Sequence, residues 1–362
     1  MKTGTANLPL HPGKCPSRLF RRMKPMAGAI AEAIALEQGR DEFLRRISDP
    51  FWFQAFGCVL GFDWHSSGLT TTVCGALKEG LADRETGIAV CGGKGKTSVK
   101  TPQEIGNFGE DFSLRTADIE RLVYSSRMSA KVDNTAVQDG YQLYHHMFIF
   151  TESGQWTVIQ QGLNTENRYA RRYHWLSDRL ASFVNEPHKA ICCDKEGGET
   201  LNMVSGESKD ARKVSVDLVR EGMERFLGPN TLERFFRKQP QEKLNMPGNH
   251  LILNMNKRNM ETLRKAHEIQ PDNYEELLSV RGMGPKTVRA LALVSELVYG
   301  TKADWKDPVK FSFAHGGKDG IPYPVDRETY DRSIGILKQG IEEAKLGRKE
   351  KMRAVRRLGK FL

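Results

Sequence analysis

Apolar side chains recur at Leu19, Met23, Met26, Ile30 and Ile34, a spacing near 3.6 residues. With alanines at positions 27, 29, 31, 33 and 35 they predict a helix that follows Pro16 and stops at Gly39. Similar spacing predicts a short helix over 41–47 closed by Asp49 and Pro50, a helix over 70–81, and an amphipathic helix over 116–128 with Thr116 as its N-cap. Between the first two lies an aromatic run, 51–60, that should be buried. The period then falls to two. Residues 141–151 and 155–161 read as strands joined by Glu152, Ser153 and Gly154, a hairpin signal. Alternation puts Tyr141, Leu143, His145, Met147 and Ile149 on one face and Gln142, Tyr144, His146, Phe148 and Phe150 on the other. His145 and His146 therefore point oppositely, and one metal ion takes both only if the strand is bulged.

Helical spacing returns over 214–227, 232–236 and 260–270. Ahead of it, 194–210 is polar, with Lys195, Gly197, Gly198, Gly206 and Lys209, and makes the best boundary in the chain. The expected class is α+β: a mixed α/β domain with a β-hairpin or small sheet over 1–193, a linker over 194–212, a mainly helical domain over 213–346, and a basic tail over 347–362. A chain of 362 residues exceeds what one core usually serves, which agrees with two domains.

Charge narrows the partners. Lys plus Arg total 55 against 45 Asp plus Glu, a net +10, which favours polyanions and nucleic acid first. No apolar run approaches the roughly 20 residues that span a bilayer, so a membrane partner is not expected. Residues 1–12 lack the apolar core of a secretory signal, and a cytoplasmic protein is expected. The six cysteines include no CxxC pair, and the adjacent Cys192 and Cys193 read as reduced thiols. Oligomeric state is left open.

Four stretches carry candidate chemistry. Gly92, Gly93, Lys94, Gly95, Lys96 and Thr97 form a basic, glycine-rich loop, but Val90 stands where a Walker motif has its leading Gly, so a solvated loop ranks first, backbone phosphate contact second and a nucleotide site last. Residues 167–175 interleave Arg168, Arg171 and Arg172 with Tyr169, Tyr173, His174 and Trp175, which suits nucleic acid; the alternative is a surface helix start with Tyr173 and Trp175 packed inward. Residues 273–299 read as helix, hairpin and helix. Gly282 and Gly284 allow a tight turn, Pro285 suits a first helical turn, and Arg281, Lys286, Thr287 and Arg289 surround it, so its amides suit a DNA backbone oxyanion, single-stranded or duplex. The tail, 347–362, sets seven cations against Glu350.

Residues 3–20, 61–80, 137–146, 170–177 and 313–331 (TGTANLPLHPGKCPSRLF, GFDWHSSGLTTTVCGALKEG, VQDGYQLYHH, ARRYHWLS and FAHGGKDGIPYPVDRETYD) resemble a family classed only as a domain of unknown function, number 763 in its series. The resemblance implies a cytosolic protein carrying a helix-hairpin-helix. More locally, the hairpin resembles the helix-hairpin-helix DNA glycosylases of the endonuclease III type. That likeness implies a lyase role for Lys286 and a catalytic role for Asp326 in Pro324-Val325-Asp326-Arg327.

The competing chemistry is phosphodiester hydrolysis, which needs carboxylates, often with His, on Mg²⁺ or Mn²⁺. Asp133, Asp139, His145 and His146 are the candidate catalytic residues, with Asp133 and Asp139 as metal ligands; Asp63 with His65, and Glu110 with Asp111, are weaker. The second strand carries Gln160, Gln161 and Gly162 where a nuclease core has Glu-x-Lys, and Asp139-Gly140 is also a turn signal. The expected function is a DNA-processing or repair enzyme, a metal-dependent nuclease first. A glycosylase or abasic-site lyase and a non-catalytic DNA-binding protein are the alternatives.

Overall fold

Asp49 shows how local sequence sets the elements: its carboxylate accepts from Phe51 N and Trp52 N at 2.9 and 3.0 Å, and Pro50 fills the first helical position. The aromatic run behind this cap is thus a helix as well as buried. A computed structural model describes residues 15–62, 67–178, 180–193, 198–222, 257–309, 327–344 and 347–359. Its elements begin with α1 (Ser17–Glu37), α2 (Arg40–Ile47), α3 (Pro50–Val59) and α4 (Gly68–Leu81). Next come β1 (Ile88–Lys94), α5 (Thr101–Asp111), α6 (Thr116–Lys131), β2 (Val137–Gln138), β3 (Gln142–Thr151), β4 (Trp156–Asn164), β5 (Tyr169–Leu176), β6 (Ala190–Cys192) and β7 (Leu201–Asn202). The helices α7 (Lys209–Arg220), α8 (Lys257–Ile269), α9 (Tyr274–Ser279), α10 (Pro285–Tyr299), α11 (Arg327–Glu343) and α12 (Arg348–Gly359) complete it.

The class is α+β. An antiparallel five-stranded sheet, ordered β1-β3-β4-β5-β6, carries helices on both faces. The period-two pattern of β3 decides which face each residue serves. Met147 and Ile149 join the core formed with α1–α4, α11 and α12, and Phe148 and Phe150 join the core formed with α5–α10. The first layer depends on a close helix crossing, since a Cβ on Gly28 would sit 2.0 Å from the Gly80 carbonyl oxygen.

Packing does not follow the expected division of the chain. Of the polar stretch 194–212, Leu201, Met203 and Val204 are buried, and β7 pairs with β2, so these residues belong to a core and not to a free linker. Leu277, Val288 and Leu291 of the helical half share one core with Phe148, Val158 and Trp175 of the sheet, while Leu337 and Ile341 serve the other. Within the basic tail, Arg348–Gly359 form α12, docked through Ala354 and Leu358, with Arg357 Nη1 donating to the Val59 carbonyl at 3.0 Å. Residues 167–175 form no helix; most of them lie in β5, with both aromatic side chains inward as one reading expected. Thr116 is the first residue of α6 and Arg115 its N-cap. No described helix is long and apolar enough to cross a membrane. Asp63, His65, Asp326 and the 232–236 helix lie outside the described residues.

Candidate functional site

The sheet is apolar at one end and polar at the other. Across the polar end, Lys94, His145, Gln161, Arg172 and Cys192 are partners strand by strand, and the next row is Gly93, His146, Gln160, Tyr173 and Ile191. Successive rows face opposite sides. The first belongs to the face covered by α1–α4, the second to the face covered by α5–α10.

On the α5–α10 face the buried Asp133, Asp139 and Arg171 all have answering groups. His146 Nε2 lies 2.8 Å from Ser126 Oγ, and its Nδ1 lies 2.9 Å from Gln160 Oε1. Gln160 Nε2 donates to Asp133 Oδ2 at 2.6 Å, which also accepts from Trp175 Nε1 at 2.9 Å; His188 Nε2 reaches Asp133 Oδ1 at 2.5 Å. A carboxylate only accepts, so Gln160 must turn its carbonyl to His146, and His146 must carry its proton on Nδ1. Burial lowers the His146 pKa and keeps the ring neutral. A second network holds Asp139, which accepts from Arg171 Nη1 at 2.9 Å, the Tyr173 hydroxyl at 2.7 Å and Tyr141 N at 3.1 Å. Arg171 Nη1 and Nη2 also donate to Asp307, at 2.9 and 2.7 Å.

Of the four predicted catalytic residues, Asp133 and His146 therefore share one network, Asp139 lies in another, and His145 is across the sheet. Both aspartates are buried acceptors bound by protein donors, an arrangement that suits structure better than metal binding. Among the described residues no group of three or more His, Cys, Asp or Glu side chains is placed to hold a metal ion. Sequence reading missed His188, which lines a cavity of about 220 Å³ together with Glu186, Asn202, Asp304 and Asp307. A lone His between Pro187 and Lys189 carries no signal.

The α1–α4 face differs. Arg171 and Arg172, expected to meet nucleic acid, are both wholly buried, because β5 is an interior strand; Arg168, in the turn before it, is exposed with φ +60°. Arg172 donates to Gln54 Oε1 at 3.0 Å and His174 Nε2 at 2.8 Å, makes a long contact to Thr70 Oγ1 at 3.4 Å, and packs 4.6 Å from the Phe53 ring centroid. None of these partners is a carboxylate. His145 is 2% exposed, and neither of its ring nitrogens has a hydrogen-bond partner. Burial, with smaller contributions from His146 and Lys94, pushes its pKa down to about 3.

The remaining candidates lie on the turn between α9 and α10. Asn273 caps α9, its Oδ1 accepting from Glu276 N at 3.0 Å, while Asp272 N donates to Glu276 Oε2 at 2.9 Å. Gly282 adopts φ +99°, and a Cβ there would meet Thr262 Oγ1 at 2.6 Å. Gly284 is the N-cap of α10, with no side-chain cap, and Pro285 occupies the first turn. Arg281, Gly282, Pro285 and Lys286 are exposed, whereas Thr287 is buried and Arg289 half-buried. The turn is anchored from behind. Lys131 Nζ donates to the Met283 carbonyl, Gln138 Nε2 donates to the Pro285 carbonyl at 2.8 Å, and Arg289 Nε donates to Gln138 Oε1 at 2.7 Å.

A family model described as "Protein of unknown function (DUF763)" matches residues 4–325, which include the sheet and this turn. No curated protein and no solved structure matches the chain.

Proposed function

We propose that this chain, which belongs to the DUF763 family, binds the DNA phosphate backbone through the turn between α9 and α10, acting as a helix-hairpin-helix. The observation that carries the reading is the uncapped, exposed start of α10. With no side chain on Gly284 to accept, the first-turn amides and the positive end of a 15-residue helix are left for an oxyanion, flanked by the exposed Arg281 and Lys286. The anchors from Lys131, Gln138 and Arg289 support it by holding the turn in one shape before any ligand arrives. Backbone contact of this kind positions DNA without reading its sequence.

Hydrolysis with Mg²⁺ or Mn²⁺ at Asp133 and Asp139 draws no support from their geometry, because protein donors already occupy both carboxylates. A second reading is favoured by Lys286, whose amine is exposed beside the turn and which would serve as the nucleophile of an abasic-site lyase.

One experiment addresses the set. Labelled single-stranded, duplex and abasic DNA is titrated with the protein over a range of salt, and product is then sought with and without EDTA and with borohydride. The expected result is salt-sensitive binding whose log-log slope falls by about one on Lys286→Ala. Cleavage lost on EDTA would restore the nuclease reading, and a borohydride adduct lost in Lys286→Ala would establish the lyase. Absence of salt-sensitive affinity for any of these DNAs overturns the proposal.

A further inference from the structure

The α1–α4 face of the polar end holds two cations, Lys94 and Arg172, for which the described residues provide no ion pair. Two carboxylates described near this end of the sheet are engaged elsewhere: Asp49 caps α3, and Glu104 binds Lys78 Nζ at 2.6 Å and Gly92 N at 2.7 Å. A buried charge left without a counter-ion is expensive in a low-dielectric interior. Beside these cations stands His145, almost wholly buried, with both nitrogens unpartnered, each omission costing about 1–3 kcal/mol.

Local geometry brings a third donor to the same place. The register between β3 and β4 shifts between Leu143 and His145, so Tyr144 is the extra residue of a bulge. Its hydroxyl accepts from Gln161 Nε2, on the α1–α4 face, and Lys94 Nζ lies 5.6 Å from its ring centroid. Tyr144 and His145, consecutive in sequence, thus address the same face, which plain alternation forbids. Tyr144 accepts one hydrogen bond and keeps its own O–H to donate. Lys94 is exposed at the rim, where Gly93 at φ +146° and Gly95 at φ +57° turn the chain away from β3.

From this placement we infer that Lys94, Tyr144 and His145 form a phosphate-binding corner, with the Arg172 charge behind it adding to the attraction. Ammonium, phenol and imidazole supply one donor each to the phosphate oxygens, and Lys94 is the group reached first from solvent. The corner lies on the opposite face of the sheet from the α9–α10 turn and does not depend on DNA binding there. Its ligand is a phosphate group, whether of a free nucleotide or of a DNA end.

The test is calorimetric titration of the full chain with inorganic pyrophosphate at low salt, for wild type, Lys94→Ala, Tyr144→Phe and Lys286→Ala. Lys94 is exposed and Tyr144→Phe keeps the ring, so both variants should retain the fold; thermal melts check it. Each is expected to weaken binding about tenfold or more, and by a larger factor than Lys286→Ala does. Pyrophosphate should also shift a histidine imidazole NMR resonance that is missing from His145→Gln. Adenosine triphosphate and oligonucleotides with and without a 5′ phosphate then separate the two sources. Absence of pyrophosphate binding, or equal binding by wild type, Lys94→Ala and Tyr144→Phe, overturns the corner. Loss of binding in Lys286→Ala alone would move the phosphate to the hairpin.

Discussion

Arg171 and Arg172 are neighbours on β5, equally buried, and they face opposite sides of the sheet into opposite electrostatic settings. Arg171 meets two carboxylates, Asp139 and Asp307, and makes at least three hydrogen bonds to them. Arg172 meets an amide, a hydroxyl, an imidazole and a phenyl ring. The same side chain, one residue apart, closes a charge network on one face and leaves an unbalanced charge on the other. Burial alone therefore does not separate structural from functional polar groups. What separates these two arginines is whether the charge has a counter-charge inside the fold.

The sharpest way to break this comparison is to remove each arginine in turn. Arg171→Met leaves Asp139 and Asp307 without their cation and should cost about 3–5 kcal/mol in urea denaturation, the usual penalty for stripping one partner from a buried pair. Arg172→Met leaves only neutral acceptors, each missing a bond, while removing a desolvated charge, and should cost no more than about 2 kcal/mol. Equal losses would mean that the two faces are electrostatically alike.

The next largest effect concerns the turn between α9 and α10. Gly282→Ala puts a Cβ into the left-handed region and 2.6 Å from Thr262 Oγ1. About 1–3 kcal/mol of stability should be lost, and DNA affinity with it, if the turn must be rigid to bind. A variant as tight on DNA as wild type would show that the turn's shape is irrelevant to binding.

Much of the architecture was legible in sequence because it follows from periodicity. The alanine-rich spacing gave α1, and Glu152-Ser153-Gly154 gave the hairpin; alternation along β3 placed His145 and His146 on opposite faces. The glycines and Pro285 marked the α9–α10 turn. Interior position within the sheet was not legible. The interleaved Arg and Tyr of β5 look like a nucleic-acid surface until Gln54, Thr70, Asp139 and Asp307, all distant in sequence, are seen to surround them. Nor did alternation reveal that Tyr144 is bulged onto the face of His145, since a bulge is set by cross-strand register. The polar stretch at 194–212 misled for a similar reason: its composition is that of a linker, but Leu201, Met203 and Val204 are enough to seat its described residues, 198–212.

Titration compares the faces at smaller amplitude. His145 and His146 are both held neutral by burial, His145 down to about 3. Above the unfolded value near 6.5 the ring is neutral in both states and pH does not matter to it. As pH falls below 6.5, the unfolded imidazole takes a proton that the folded one refuses until about pH 3, so stability is lost across that window. For one histidine the slope is about 1.4 kcal/mol per pH unit. Urea denaturation of His145→Gln between pH 6.5 and 4 should show a dependence shallower by that amount. The slope should also shrink in wild type when pyrophosphate is added, if the anion draws a proton onto His145. A variant with the wild-type slope would mean that His145 titrates normally in the folded state.

The smallest effect is also the most selective. Lys286 is exposed, Lys94 is exposed, and the proposals give them the same ligand chemistry on opposite faces of one sheet. Neither replacement by Ala should move the denaturation midpoint by more than about 0.5 kcal/mol, as expected for surface positions outside any network. Their binding defects should differ. Lys286→Ala should lower the salt slope for duplex DNA by about one and weaken pyrophosphate less than Lys94→Ala does, because a backbone contact removed from the hairpin releases one fewer counter-ion. Lys94→Ala should weaken pyrophosphate and leave the salt slope for unphosphorylated duplex as it was. If both variants lose the same ligand by the same factor, the two positive features belong to one continuous track that wraps the edge of the sheet, and the distinction between its faces is a distinction of packing alone.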